Sequence, residues 1–259
     1  MTRDAVPPAS GTAESLRLAV AAALDRAGMS LPDGAIRRFA AYGTLLRLWN
    51  ARMNLTAITD DDGIAVRHIV DSLTLLPRLD REAGGRPRTI DVGTGAGLPG
   101  IPLAIARPGL PLLLLDSLAK RVGFLEAVLD ELGRGPGEPG ERVETCHGRA
   151  EDEARRRDLR ESFDLAVARA VAPLPVLAEL CLPFVRPGGC FVAMKGRAAD
   201  EVAAAGPAFA RLGGTLESAE PFLLPGTDQV RTLVVVRKTA PTPAAYPRKA
   251  GRPEKEPLA

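Results

Sequence analysis

IDVGTGAGLPGIPLAIA, residues 90 to 106, reads as a strand, a glycine loop and a helix in immediate succession. The strand ends at Asp91, Gly93, Gly95 and Gly97 make a tight turn, and the helix is expected to begin near Leu98. Pro99 and Pro102 then fall in its first turn, where a missing N–H costs nothing. Glycines at these positions let the backbone turn sharply and approach a ligand closely, and the helix start offers unpaired N–H groups. The spacing Gly95-x-Gly97-x-x-Gly100 also meets the dinucleotide fingerprint, which alone discriminates little. No Gly-Lys-Ser/Thr follows, which excludes a Walker-type phosphate loop.

Outward from this loop, short apolar runs alternate with amphipathic stretches. RTIDVG, PLLLLDS, RVETCHG, FDLAVARA and GGCFVAMKG are separated by helix-like segments, the pattern of βαβ units and of a parallel sheet covered on both faces. GTLESAEPFLL and VRTLVVVRK are separated by the turn region Pro225 to Asp228 and are expected to form an antiparallel hairpin at one edge. The expected fold is α/β, a Rossmann-like, doubly wound sheet of seven strands whose ligand crevice lies beyond the carboxyl ends of the central strands.

Residues 13 to 80 read as an N-terminal helical layer. Leu16, Ala19, Val20, Ala23, Leu24 and Ala27 recur at helical spacing up to Gly28, and a second run from Pro32 and Asp33 to Asn50 carries Ile36, Phe39, Gly43, Leu46 and Trp49. A third helix carries Ile64, Ile69, Leu73 and Leu76. The chain divides into a flexible 1–12, this layer, a ligand-binding domain over 81–238, and a Pro- and Lys-rich tail, 239–259, expected to be disordered. GRGPGEPG, 133 to 140, reads as a surface loop, and EDEARRRDLRE, 151 to 161, as a solvated helical face with Arg155 to Arg157 as minor candidates for phosphate contact.

The chain has 259 residues with 34 Lys and Arg against 32 Asp and Glu, a net charge of +2. The surplus sits in the last 21 residues, so any nucleic-acid contact made by residues 1 to 238 must come from a local patch rather than bulk charge. Apolar stretches such as Leu112 to Leu115 are far shorter than the roughly 20 residues of a membrane span, and the N-terminus lacks the apolar centre of a secretory signal. Cys146, Cys181 and Cys190 form no C-x-x-C pair, so buried thiols in a reducing cytoplasm are expected. The two histidines and three cysteines make no plausible metal set.

Asp91 stands two residues before the first loop glycine, where a carboxylate repels a pyrophosphate but suits a ligand carrying an ammonium group and hydroxyls. Asp116 ends the second strand 25 residues later, placed to accept hydrogen bonds from vicinal ribose hydroxyls. Together they point to a nucleoside ligand without a pyrophosphate, a description that S-adenosylmethionine fits. NAD is the alternative ligand, and two surface aspartates at strand ends the bland one.

Beyond the glycine loop, NLTAITD (54–60), RHIVDS (67–72), LLDSLAKRVGFL (114–125), GRAE (148–151), ARAVAPL (168–174) and AMKG (193–196) stand in an order and spacing that resemble the bacterial 16S rRNA guanine-N7 methyltransferase family, RsmG, formerly GidB. The resemblance runs from about residue 15 to 238 and is far more specific than the loop alone. It implies a class I methyltransferase fold, a cytoplasmic enzyme, and methyl transfer from S-adenosylmethionine to N7 of one guanine in 16S rRNA. It also implies cofactor contacts at Gly93, Leu98, Ala150, Glu151 and Arg169. The GRGPGEPG loop and the tail depart from the family pattern.

Guanine N7 carries an in-plane lone pair and no proton, so its attack on a sulfonium methyl needs alignment rather than a general base. The absence of a Pro-Cys motif and of an Asp/Asn-Pro-Pro-aromatic strand end agrees with a ring-nitrogen or ribose acceptor. Arg169 closes an apolar strand over the expected crevice and is the candidate for a ligand or phosphate contact. Glu151 and the Ala150 backbone are expected beside the adenine, and His68 and Asp71, three apart, share a helix face that either roofs the site or makes an interdomain hydrogen bond. Arg67, Lys120, Arg121 and Lys195 are the candidates for rRNA binding. A monomer is expected. The rival readings are a small-molecule methyltransferase with a closed, apolar acceptor pocket, and an RNA-binding protein that keeps the fold without catalysis.

Overall fold

The computed structural model describes residues 12–169 and 172–258. The apolar runs become strands covered on both faces: β1 (Thr89–Val92) and β2 (Leu112–Asp116) are buried along their whole length. With β3 (Val143–His147), β4 (Phe163–Arg169), β5 (Val185–Lys195), β6 (Gly214–Ser218), β7 (Pro221–Leu223) and β8 (Val230–Lys238) they form one sheet ordered β3-β2-β1-β4-β5-β8-β6, with β7 also on β8. The first five strands are parallel, and β8 runs antiparallel between β5 and β6. Eight strands stand where seven were expected because GTLESAEPFLL is split. A register shift between Leu216 and Ser218 breaks the ladder, and pairing resumes at Pro221, a residue suited to a strand start.

Alternation along the central strands sorts the core into two layers. Leu112 and Leu114 join one hydrophobic cluster, and Leu113 and Leu115 join the other. On the first face lie α6 (Gly100–Ala106) and α7 (Ala119–Leu132) together with the N-terminal helices α1 (Ala13–Arg26) and α2 (Asp33–Met53), so that Leu16, Phe39 and Leu46 share a cluster with Leu103 and Leu125. On the second lie α9 (Leu174–Cys181) and α10 (Ala199–Arg211), after a short α8 (Ala150–Glu153). A Thr12–Ser15 capping box opens α1. The expected third helix is broken into α3 (Asp61–Gly63), a π-helical run Ile64–Val70, α4 (Asp71–Leu73) and α5 (Leu76–Leu79). Such widened turns concentrate at functional sites.

Several local expectations differ from what is observed. Helix α6 starts at Gly100, two residues after Leu98, because residues 94 to 98 are spent on a turn in which the Gly97 and Leu98 N–H groups both donate to the Thr94 carbonyl. Of the flexible N-terminus expected over 1–12, residues 1–11 lie outside the described residues, and Thr12 caps α1. Residues 239–258, expected to be disordered, pack along the α9 side, bury Leu258, and end in α11 (Arg252–Lys255). Side-chain partners elsewhere in the fold supply the order that composition alone does not. Arg155, a candidate for phosphate, donates instead to the Ala245 and Pro247 carbonyls of this segment, and Arg156 is paired with Glu153 and Asp158. Cys181 and Cys190 are buried, whereas Cys146 is half-buried and donates to Glu153, with its thiol pushed up to about 11 by burial and by that carboxylate.

Candidate functional site

The glycine loop hangs between β1 and β2. Its Gly93 and Thr94 N–H groups donate to the Leu115 carbonyl, and its Gly95 N–H donates to Asp116 Oδ2 at 2.9 Å. Two glycines are crowded: at Gly97, with φ of 84°, a Cβ would stand 2.4 Å from Ile101 Cγ1, and at Gly100 one would stand 2.4 Å from Leu114 Cδ2 and 2.9 Å from Asp91 Oδ2. Helix α2 braces the loop from above, the Tyr42 hydroxyl donating to the Ala96 carbonyl at 2.7 Å inside the core. Burial pushes that phenol well above its ordinary range, so it stays a donor.

Asp91 lies wholly buried under the loop. Its Oδ2 accepts from Thr94 Oγ1 at 2.7 Å and from the Gly100 N–H at 2.9 Å, while Oδ1 has no partner. Burial lifts its carboxyl from 3.8 to about 6, against the pull of those two donors. An orphaned carboxylate oxygen at this depth calls for a donor that the protein does not supply.

Beside the loop, a cavity of about 160 Å³ opens at the carboxyl ends of β1 and β2 and at the loop after β3. Gly93, Asp116, Ala150 and Glu151 line it, with Val92, Leu115, Val176 and Leu180 as apolar wall. Asp116 accepts from the Gly95 and Leu118 N–H groups and from Arg121 at 3.4 Å, which leaves part of its acceptor capacity for a diol. These groups suit an adenosine: carboxylates for hydroxyls and an apolar slot for a purine. Asp91, Gly95, Leu98 and Arg169 are not on this cavity's wall. Leu98 is packed in the core and Gly95 serves the loop by binding Asp116.

At the carboxyl ends of β4 and β5 and the start of β8, under the helical layer, lies a second cavity of about 400 Å³. Arg67, Arg169, Lys195 and Arg231 line it, with His68, Asp71, Ile58 and Met194. Asp71 clamps two of the four cations, accepting from Arg169 Nη1 at 3.2 Å and from Arg231 Nε at 3.0 Å. Arg169 therefore makes an ion pair as well as facing the cavity. His68 places Nε2 2.9 Å from Thr56 Oγ1 and Nδ1 3.3 Å from the Arg67 carbonyl. Burial and the neighbouring Arg169 depress it to about 4, so at neutral pH it is uncharged.

The rRNA-binding candidates separate. Arg67 and Lys195 reach the second cavity, although Lys195 is also tied to Glu201 at 2.8 Å and Arg67 is paired with Asp60 at 3.6 Å. Arg121 is turned toward Asp116, and Lys120 is exposed on the first turn of α7. Sequence reading missed Tyr42, Arg231, Pro253 and Glu254. Tyr42 sits among the apolar positions of α2 and reads as core, and Arg231 reads as a strand-edge charge until β8 is seen beside β5. Among the described residues no group of three or more His, Cys, Asp or Glu side chains comes together as a metal site.

A family model described as "GidB: rRNA small subunit methyltransferase G" matches residues 35–223. A relative from Acetivibrio thermocellus named ribosomal RNA small subunit methyltransferase G is 47% identical over 232 residues, covering 89% of this chain and 92% of the relative. One of the same name from Geobacillus thermodenitrificans is 45% identical over 238 residues, covering 92% and 97%. Among solved structures, the apo form of the S-adenosylmethionine-dependent methyltransferase SibL aligns with a TM-score of 0.54 at 15% identity, over 85% of this chain and 77% of that one. A Corynebacterium glutamicum protein aligns with a TM-score of 0.51 at 19% identity, over 77% and 90%. At these identities the two structures speak for the fold.

Proposed function

Since the chain belongs to the rRNA small subunit methyltransferase G family, we propose that it transfers the methyl group of S-adenosylmethionine to N7 of a guanine in 16S rRNA. The observation that carries the reading is the pair of cavities at the carboxyl edge of the sheet, one lined by nucleoside-binding carboxylates and the other by four cations. A small-molecule acceptor calls for a closed apolar pocket. The second cavity offers cations, suited to a polyanion.

The cofactor supplies an electrophilic methyl group on a sulfonium. Asp116 would receive the ribose hydroxyls, Ala150 and Glu151 would flank the adenine, and Asp91, buried beneath the loop, would act on the cationic end through its charge rather than by contact. The protein's own work at the acceptor is positioning. Guanine presents N7 and O6 as acceptors on one edge, so N–H donors from Arg169 and Arg231 can hold O6 and leave N7 free to meet the methyl. Asp71 fixes those guanidinium groups before RNA arrives, and His68, with both ring nitrogens engaged, stays neutral. No step requires a base, because N7 has no proton to lose.

The reading places the enzyme in the cytoplasm as a monomer; among the described residues no helix is long and apolar enough to cross a membrane. Incubating the purified chain with methyl-labelled S-adenosylmethionine and unmodified 16S rRNA or small subunits tests it. Label in the RNA supports the enzyme, and S-adenosylmethionine binding without transfer supports a non-catalytic RNA-binding role.

A further inference from the structure

The segment that follows β8 crosses the α9 side of the sheet and comes to rest on the nucleoside cavity. Its first half is tied down: Arg160 donates to the Thr242 and Tyr246 carbonyls at 2.8 and 2.9 Å, and the Thr242 N–H donates to Glu161 at 2.6 Å. Its second half depends on a latch. Glu179, wholly buried on the apolar helix α9, accepts from the Arg248 backbone N–H at 2.7 Å, from Nε at 2.9 Å and from Nη2 at 2.6 Å. A carboxylate buried this completely is held by its charged partner. Beyond the latch, the Gly251 N–H donates to Glu151 Oε1 at 2.8 Å, and Pro253 and Glu254 stand in the cavity wall opposite Gly93 and Asp116.

Size gives this wall a consequence. The cavity measures about 160 Å³, whereas sites for small molecules begin at about 300 Å³. Its other walls are the ends of β1 and β2 with Gly93 and Ser117 beside them, the turn from β3 into α8, Ala172 and helix α9. The strap beyond Arg248 is the wall that is joined to the rest of the fold chiefly through side-chain bonds, those of Glu179 and Glu151.

We propose that residues 248–258 are a gate of the cofactor site: they hold Glu151, wall the cavity through Pro253 and Glu254, and swing away when the Arg248–Glu179 latch opens, admitting S-adenosylmethionine and releasing S-adenosylhomocysteine. The proposal rests on placing the cofactor in this cavity. A gate slows traffic in both directions, which separates it from a wall that adds contacts.

The test uses the full chain, an Arg248→Ala variant, and a chain ending at Pro247 that also carries Glu179→Leu, so that no carboxylate is left buried alone. S-adenosylhomocysteine association and dissociation are followed by stopped-flow fluorescence, and tryptic cleavage after Lys249 is timed with and without that ligand. Expected are association and dissociation both about tenfold faster in the variants, with Kd moving less than either rate. In the unaltered chain, saturating ligand should slow cleavage at Lys249 by about tenfold. Rates within twofold of the unaltered chain in both variants overturn the gate, as does cleavage indifferent to ligand. Should Arg248→Ala fail to fold, the truncated double variant decides. Failure of the unaltered chain to bind S-adenosylhomocysteine at all would strike the cofactor placement itself.

Discussion

Replacing Tyr42 by Phe deletes one oxygen and leaves the packing of α2 unchanged, so it isolates the brace between the helical layer and the glycine loop. The lost bond is a 2.7 Å contact from a buried hydroxyl to the Ala96 carbonyl. An intramolecular hydrogen bond contributes about 1 kcal/mol net, and leaving its buried acceptor unpaired raises the cost to about 2 kcal/mol. For a chain of this size each kcal/mol moves Tm by about 2–4 °C, so a fall of about 4–8 °C is expected. If half of the loss is taken up by loosening the loop, about 1 kcal/mol enters the binding equilibrium, a weakening of about fivefold in the Kd for S-adenosylhomocysteine. Thermal unfolding and isothermal calorimetry read the two effects on one preparation. An unchanged Tm together with an unchanged Kd would refute the view that α2 supports the cofactor loop.

Arg169→Ala and Arg231→Ala should each lower methyl transfer at least about 100-fold while leaving S-adenosylhomocysteine affinity within about threefold, since both groups face the second cavity, proposed to receive the guanine; a selective loss of cofactor affinity would move them to the other cavity. Asp116→Ala removes the acceptor for Gly95 and Leu118 as well as for the ribose and should weaken cofactor binding by about 100-fold or more in a direct titration. Asp91 has a carboxyl raised from 3.8 to about 6, so its protonated form favours the fold: that contribution is full below 3.8 and is lost as pH rises through 6. A cationic ligand demands the opposite state, so cofactor affinity should climb as pH rises through 6, and Asp91→Asn should flatten that climb; identical pH profiles for the two proteins would contradict it.

The parallel strands, the antiparallel edge and the glycine loop after β1 were legible in the sequence because they rest on local signals. A leucine run ending in Asp116 and a glycine loop after Asp91 carry their own geometry, and alternating burial along β2 follows from the strand period. The second cavity was only partly legible, since Asp71 meets Arg169 and Arg231 across 98 and 160 residues. Composition misreads the tail for the same reason. Pro and Lys speak for disorder, whereas Arg248 finds Glu179 69 residues away. One signal was available: Glu179 is the sole charge in LPVLAELC, and a carboxylate inside so apolar a helix needs a cation from elsewhere. The break between β6 and β7 depends on pairing with β8, which neither strand encodes alone.

The central claim is that two cavities at the carboxyl edge of the sheet bring a sulfonium methyl to guanine N7 in 16S rRNA. The most direct measurement is to treat small-subunit RNA lacking the modification with the purified chain and S-adenosylmethionine, then map 7-methylguanine by borohydride reduction and aniline cleavage. The account predicts a single new cleavage in 16S rRNA, lost with Arg169→Ala. Methyl label recovered on a base amino group, on a ribose oxygen or only on small molecules would contradict it.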